Sequence, residues 1–158
     1  MRKVNDYQIV PATPSHAREL AAALRQADVD EIFALTGLAP LDGLEYCLAS
    51  TPDCKAAVDV EGTIVMWGIG VSPANPHVGS PWGLGADRLI SQYRLAFLRE
   101  GLKCAQQGRK AYERLENWVD ARNMDSLRFI RWCGFTVHPS ENLGYLNLPF
   151  HRFTMEGE

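Results

Sequence analysis

The chain of 158 residues is 46% hydrophobic and 22% charged with a formal net charge of −3, which suits one globular domain over residues 1–158 that buries a core without staples. That charge offers no general attraction to nucleic acid or an anionic membrane surface, and no apolar run nears the roughly 20 residues of a membrane span. Met1 to Leu20 has no apolar centre followed by a cleavage site, and the four cysteines, Cys47, Cys54, Cys104 and Cys133, form no CxxC pair, so structural zinc is disfavoured and free thiols in a reducing, cytoplasmic setting are expected.

In chain order, Tyr7, Ile9 and Pro11 predict a first strand. Thr13 or Ser15 caps a helix through about Ala27, with Leu20, Ala23, Leu24 and Ala27 at helical spacing. Asp28 restarts a helix through Leu35, Gly37 stops it, and Leu41 to Ala49 forms a third between Pro40 and Pro52. Cys54 to Val60 and Thr63 to Val71, broken by Glu61-Gly62, read as a hairpin. Ser72 to Gly85 carries Pro73, Pro76 and Pro81 and reads as loop or irregular strand, with Trp82 and Leu84 facing the core. Asp87 opens the longest helix, on which Ile90, Tyr93, Phe97, Gly101 and Cys104 share a face, and Gly108 ends it. Leu115 to Ala121 is a strand and Asn123 to Cys133 the last helix, with a short apolar piece at Thr136 and Val137. Tyr145 to Met155 is the final strand, which Pro149 marks as a sheet edge or a bulge. This order makes a mixed α/β fold (α+β sheet).

The order, together with Asn123 to Phe135 (N-M-D-S-L-R-F-I-R-W-C-G-F) and the opening I-V-P-A-T, resembles the GNAT superfamily of acyl-CoA-dependent N-acyltransferases. The resemblance implies a single-domain GNAT-like fold, acetyl-CoA or CoA as cofactor, and cofactor contacts at Asn123, Ser126 and Arg88. The family's phosphate loop, Gln/Arg-x-x-Gly-x-Gly/Ala, falls near Gly83 to Ser91. Here the leading Gln/Arg is missing, Asp87 would sit beside the phosphates, and Arg88 partly offsets it; a turn and helix cap is the plainer reading. Asn123 reads equally as an N-cap, with Asp125 in the first turn suiting the helix dipole.

In active members the position seven after the Asn is often a Tyr that protonates the leaving thiolate. Here it is Ile130, which has no proton to give, and Phe129 and Ile130 read as core. Water, Tyr93 or Tyr145 would have to serve instead. Glu116, Asp120, Asp59 and His77 are the candidate bases. Strand alternation sets Glu116, Trp118 and Asp120 against Leu115, Asn117 and Val119, so the carboxylates read as surface. Arg122, Arg128 and Arg131 read as a solvated helix face.

A narrower resemblance rests on the helix after the proline-rich segment, on Leu115 to Phe135 and on the aromatic final strand: it is to the small internal virion proteins of T7-like tailed phages. It implies a phage or prophage origin, a virion or assembly role beside phage structural proteins, and a decayed transferase site. An active acyltransferase with an atypical phosphate loop is the alternative, and a module holding CoA or another nucleotide structurally is a third. Trp67, Trp82, Trp118 and Trp132, with Tyr145, Phe150 and Phe153, form either one core or a surface for a second copy, hence a homodimer.

Overall fold

The run Ile64-Val65-Met66-Trp67 is buried on both faces of its strand, as a central strand with helices above and below must be. The computed structural model describes residues 6–158; the first five residues of the expected domain, which are also the first five of the stretch Met1 to Leu20 read for a leader, lie outside the described residues. The elements are β1 (Gln8–Pro11), α1 (Pro14–Ala21), α2 (Gln26–Thr36), α3 (Pro40–Ala49), β2 (Lys55–Asp59), β3 (Gly62–Ser72) and β4 (Asn75–Gly85). Then come α4 (Arg88–Ser91), α5 (Arg94–Ala111), β5 (Arg114–Asp120), α6 (Met124–Trp132), β6 (Thr136–Leu143) and β7 (Leu148–Glu156). One mixed sheet runs β1-β2-β3-β4-β5-β7-β6, with β4 and β5 its parallel pair. The expected mixed α/β fold is what forms.

Helices cover both faces. Ala17, Leu20 and Leu44 from α1 and α3 pack on Ala56, Met66 and Leu84. On the other face Leu89, Tyr93 and Phe97 pack on Val65 and Trp67, and α6 sets Leu127 and Ile130 on Val119 and Phe153. Each fully buried side chain of this kind contributes about 1.5–3 kcal/mol.

The short apolar piece at Thr136 and Val137 extends to the full strand β6, and the final strand begins at Leu148 rather than Tyr145; four further departures from the sequence reading each have a tertiary reason. The first helix stops at Ala21 rather than near Ala27, because Leu24 bridges to Ala86 and the Arg25 N–H donates to the Gly85 carbonyl at 2.9 Å. The proline-bearing segment is a full strand, β4. Ala86 N–H donates to Ile64 O at 2.8 Å, so in the β3–β4 register Leu84 and Trp82 hold the bonded positions, and Pro81, opposite Ile69, needs no N–H. The long helix is broken between α4 and α5 at Gln92 and Tyr93, and it runs past Gly108 to Ala111. Gly108 serves close packing instead: a Cβ there would lie 2.6 Å from Ile69 Cδ1. Finally, β7 is no edge. It lies between β5 and β6, and the Pro149 carbonyl accepts from Ala121 N–H at 3.0 Å.

Asp59 ties the β2–β3 hairpin to the α4–α5 break. Its carboxylate accepts two bonds from Arg88, both 3.0 Å, one from the Tyr93 hydroxyl at 2.9 Å and one from the Glu61 N–H at 2.9 Å. Burial pushes this carboxyl up, but the Arg88, Tyr93 and Glu61 bonds outweigh it and leave it below its usual range. Asp59→Ala removes the main partner of a largely enclosed guanidinium and leaves it the Gly62 carbonyl and Glu61, so urea unfolding should show a loss of roughly 2–3 kcal/mol; a loss within about 0.5 kcal/mol, the scale of an ordinary surface change, would contradict this account of the break.

Candidate functional site

β4 and β5 stay paired only at Val78–Arg114 and Gly79–Leu115, then part. Asn117 spans the start of the gap, donating from its side-chain amide to the Pro81 carbonyl at 2.9 Å. The alternation that sets Trp82 and Leu84 against β3 turns the peptide groups of Pro81, Gly83 and Gly85 toward the gap. Gly85 is satisfied there by Asp28, which accepts its N–H at 3.0 Å, and by the Arg25 N–H. The Gly83 N–H points into the open part, on a stretch of wall that carries no Cβ.

The resulting cleft holds about 670 Å³. On one face of the sheet α2 and α3 supply its wall, on the other α5 and α6. Phe97 stacks on Phe129 at 4.6 Å across the α5–α6 side, and Gly101 permits it, since a Cβ there would lie 2.1 Å from the Phe129 ring. All four tryptophans expected as core or interface line the cleft.

A polar cluster closes the wide end. Asp28 accepts from Arg25 at 3.2 Å and from the Asn123 amide at 3.3 Å, besides Gly85. Arg25 also pairs with Asp125 at 3.2 Å. Glu31 accepts the Asp120 N–H at 2.7 Å, and Asp120 is held by Arg122 at 2.7 Å. Burial pushes the Asp28 carboxyl up against the opposing charge of Arg25 and the Gly85 and Asn123 bonds. Burial raises Glu31 to about 8; the Asp120 N–H works against the rise, and the charges of Asp28 and Asp120 add to it. Glu31 is only half-buried and lines the cleft, so it presents there a carboxyl that changes charge near neutral pH. Among the described residues no group of three or more His, Cys, Asp or Glu is arranged to hold a metal ion.

The residues named from sequence separate. Ser126 lines the cleft, as does Ile130, which is also core. Asn123 is 2% exposed; it caps α6 by accepting the Ser126 N–H at 3.4 Å and braces Asp28, so the capping reading accounts for it. Arg88 lies outside the cleft lining, engaged by Asp59 and by the Gly62 carbonyl at 3.0 Å. Tyr93 gives its hydroxyl to Asp59, and burial followed by that carboxylate raises its pKa to about 12. Tyr145 is exposed and packs edge-on against Phe33 at 5.5 Å. Glu116 pairs with Arg152 and Arg114, and the exposed His77 lies 4.0 Å from Glu113. Asp120 is buried, not surface, because Arg122 folds back on it. Sequence reasoning missed Arg25, Asp28 and Glu31. Their signal was available: two acids one turn apart on a helix whose neighbours, Val29, Ile32 and Phe33, are apolar.

No protein-family model and no curated protein matches this sequence. Solved structures do resemble it. An acetyltransferase of the GNAT family from Streptococcus pneumoniae is 17% identical with a TM-score of 0.64, over 97% of this chain and 100% of that one. Ard1 from Thermoplasma volcanium is 11% identical with a TM-score of 0.69, over 96% and 98%. A Bacillus subtilis acetyltransferase solved in complex with CoA is 10% identical with a TM-score of 0.61, over 95% and 97%. At these identities the likeness establishes the fold, and the chain has the GNAT acetyltransferase fold. Among the described residues no single helix is long and apolar enough to cross a membrane.

Glu31 gives the site a signature in stability. Its ordinary value is 4.5 and its folded value about 8, so between these the folded chain binds the extra proton. Stability therefore falls as pH rises from about 5 to about 8, by up to roughly 1.4 kcal/mol per pH unit. Glu31→Gln keeps an acceptor for the Asp120 N–H and removes this titration. Urea midpoints taken across that range should slope downward in the parent and flatten in the variant; parallel slopes would contradict a raised Glu31.

Proposed function

We propose that this chain is an N-acyltransferase that draws its acyl group from a CoA thioester in the cleft between β4 and β5. The observation that carries the reading is the Gly83 N–H turned into an open gap that also presents the Glu31 carboxyl. The acetyltransferases among its structural neighbours, one solved with CoA, agree with it.

The residues present fit the cofactor. The cleft, at about 670 Å³, is in the range of small-molecule and cofactor sites, and Gly83 leaves the backbone approachable. Arg94, at the start of the 18-residue α5, and Arg128 on α6 line the cleft and supply positive charge that Arg88 does not. When bound, the thioester supplies an activated acyl carbonyl and a thiolate leaving group. The Gly83 N–H donates to the carbonyl oxygen as negative charge grows there. Glu31, once ionised, takes the proton that the attacking amine must lose. Ser126 lies one turn before Ile130 on the same face of α6, so its hydroxyl stands in for the missing Tyr as the protic group on that wall. Asn123 acts by position, holding α6 and Asp28.

The virion and assembly reading rests on a likeness of sequence alone. The neighbours do not favour it, and no feature of the cleft calls for it.

Steady-state CoA release with acetyl-CoA and primary amines tests the proposal. The value of kcat/KM should rise with pH around a midpoint near 8, and Glu31→Gln should lose roughly 100-fold and the midpoint with it. Gly83→Pro removes the N–H at a position β3 does not use and should lose about 100-fold in kcat, whereas Gly83→Ala, which keeps the N–H, should lose far less. A folded protein that acylates no amine at any pH would overturn the reading.

A further inference from the structure

The side of the cleft opposite Arg94 and Arg128 has its own chemistry. Among the described residues lining the whole cleft, the cations are Arg25, Arg94 and Arg128. Arg94 and Arg128 stand on α5 and α6. Arg25, the one cation on the α2–α3 side, is closed off by Asp28 and Asp125, each at 3.2 Å, with its side chain 10% exposed. What remains on that side is acidic and aromatic. Asp28 and Glu31 lie at the inner end, Trp82 and Trp118 form walls, and Tyr46, 67% exposed, stands at the rim. Trp82 has its indole N–H satisfied by Thr51 Oγ1 at 2.8 Å, so it offers the cleft a ring and no donor. Exposed Phe33, Leu38 and Leu146 extend the apolar character on the same flank, where the Leu146 N–H is bonded to the α2 carbonyl of Ala34 at 3.0 Å.

Resting on the acyltransferase reading, we infer that the acceptor is a cationic amine with an aromatic or other apolar body and no carboxylate or phosphate beside the nitrogen. The ammonium is drawn by Glu31 once that carboxyl is ionised, Asp28 being taken up by Arg25, Asn123 and the Gly85 N–H, and it sheds its proton to solvent before attack. A flat apolar body gains contact area and cation–π attraction from Trp82, Trp118 and Tyr46. An α-carboxylate, in contrast, would enter a partly desolvated space where Arg25 is already held by Asp28 and Asp125 and where Glu31, once ionised, repels it, which is the costly way to bury a charge. The acyl transfer balances without a further reagent: the amine nitrogen bonds to the acyl carbon, the C–S bond breaks with its electron pair leaving on sulfur, the nitrogen's proton passes to Glu31 and from there to solvent, and the thiolate takes its proton from water.

Matched pairs separate this inference from the reading beneath it. With acetyl-CoA and the parent protein, tryptamine should exceed tryptophan, and phenethylamine should exceed phenylalanine, by at least about tenfold in kcat/KM, a difference of about 1.4 kcal/mol. The methyl esters of the two amino acids, which lack the carboxylate charge, should recover most of that loss. Tyr46→Lys adds a cation at an exposed rim position where folding is not at stake, and it should shrink the amine-to-amino-acid ratio severalfold. Equal or better turnover of the free amino acids, or preference for an aliphatic polyamine over both aromatic amines, would overturn the inference and leave the acyltransferase reading intact. Failure of every amine at every pH would overturn the acyltransferase reading and the inference with it, and absence of any acetyl-CoA effect on the melting midpoint would remove the cofactor site as well.

Discussion

The Asp28 carboxylate is the contact on which the rest of the site depends. Two parallel strands would normally continue to pair, yet β4 and β5 separate after Gly79 and Leu115. The peptide groups this leaves unpaired at Gly85 must be met elsewhere, because buried backbone donors and acceptors without partners are costly. Asp28 takes the Gly85 N–H, Arg25 gives its own N–H to the Gly85 carbonyl, and Asn123 reaches across from the other lip to the same carboxylate. One side chain on α2 thus joins the end of β4 to the start of α6 and holds the gap at a fixed width. Gly83, two residues earlier, is left facing the opening.

Holding the gap open in this way places charge where it is expensive. Asp28 and Asp120 are each 2% exposed, and Glu31 shares their surroundings, so burial and then the charges of Asp28 and Asp120 raise the cost of ionising Glu31. Arg25 and Arg122 offset two of them. Glu31 has no arginine against it, the Asp120 N–H being its chief partner, and is the member whose proton is retained to about pH 8. Stability given up at this end of the sheet and a titratable group facing the cleft have the same origin, which is the usual relation between strain and function at a site.

Local sequence carried the elements well where local forces decide them. The Thr13 cap, the Gly37 stop with its φ of 72°, and the apolar spacing of α6 all appear where residue chemistry puts them. The failures lie where a distant partner decides. Pro81 argued against a strand until the register set it opposite Ile69 at a position needing no N–H. Gly108 resembled a helix stop but is small because Ile69 and Leu115 press on it. Arg88 was read as a phosphate partner from its place after the glycines, while Asp59, 29 residues earlier, holds it. The spacing of the α2 acids on an apolar helix marks them as unusual, but their partners Gly85, Asp120 and Asn123 lie far off in the chain and give them their role only in the fold.

The central claim is that the parted strands form a CoA site, and amide hydrogen exchange with and without millimolar CoA addresses it most directly. The account predicts slowed exchange at Trp82 to Gly85, in the first turn of α5 around Arg94, and around Ser126 on α6, with β1 and β6 unchanged. Identical exchange in both samples at those three places, or protection confined to the β6 edge, would contradict it.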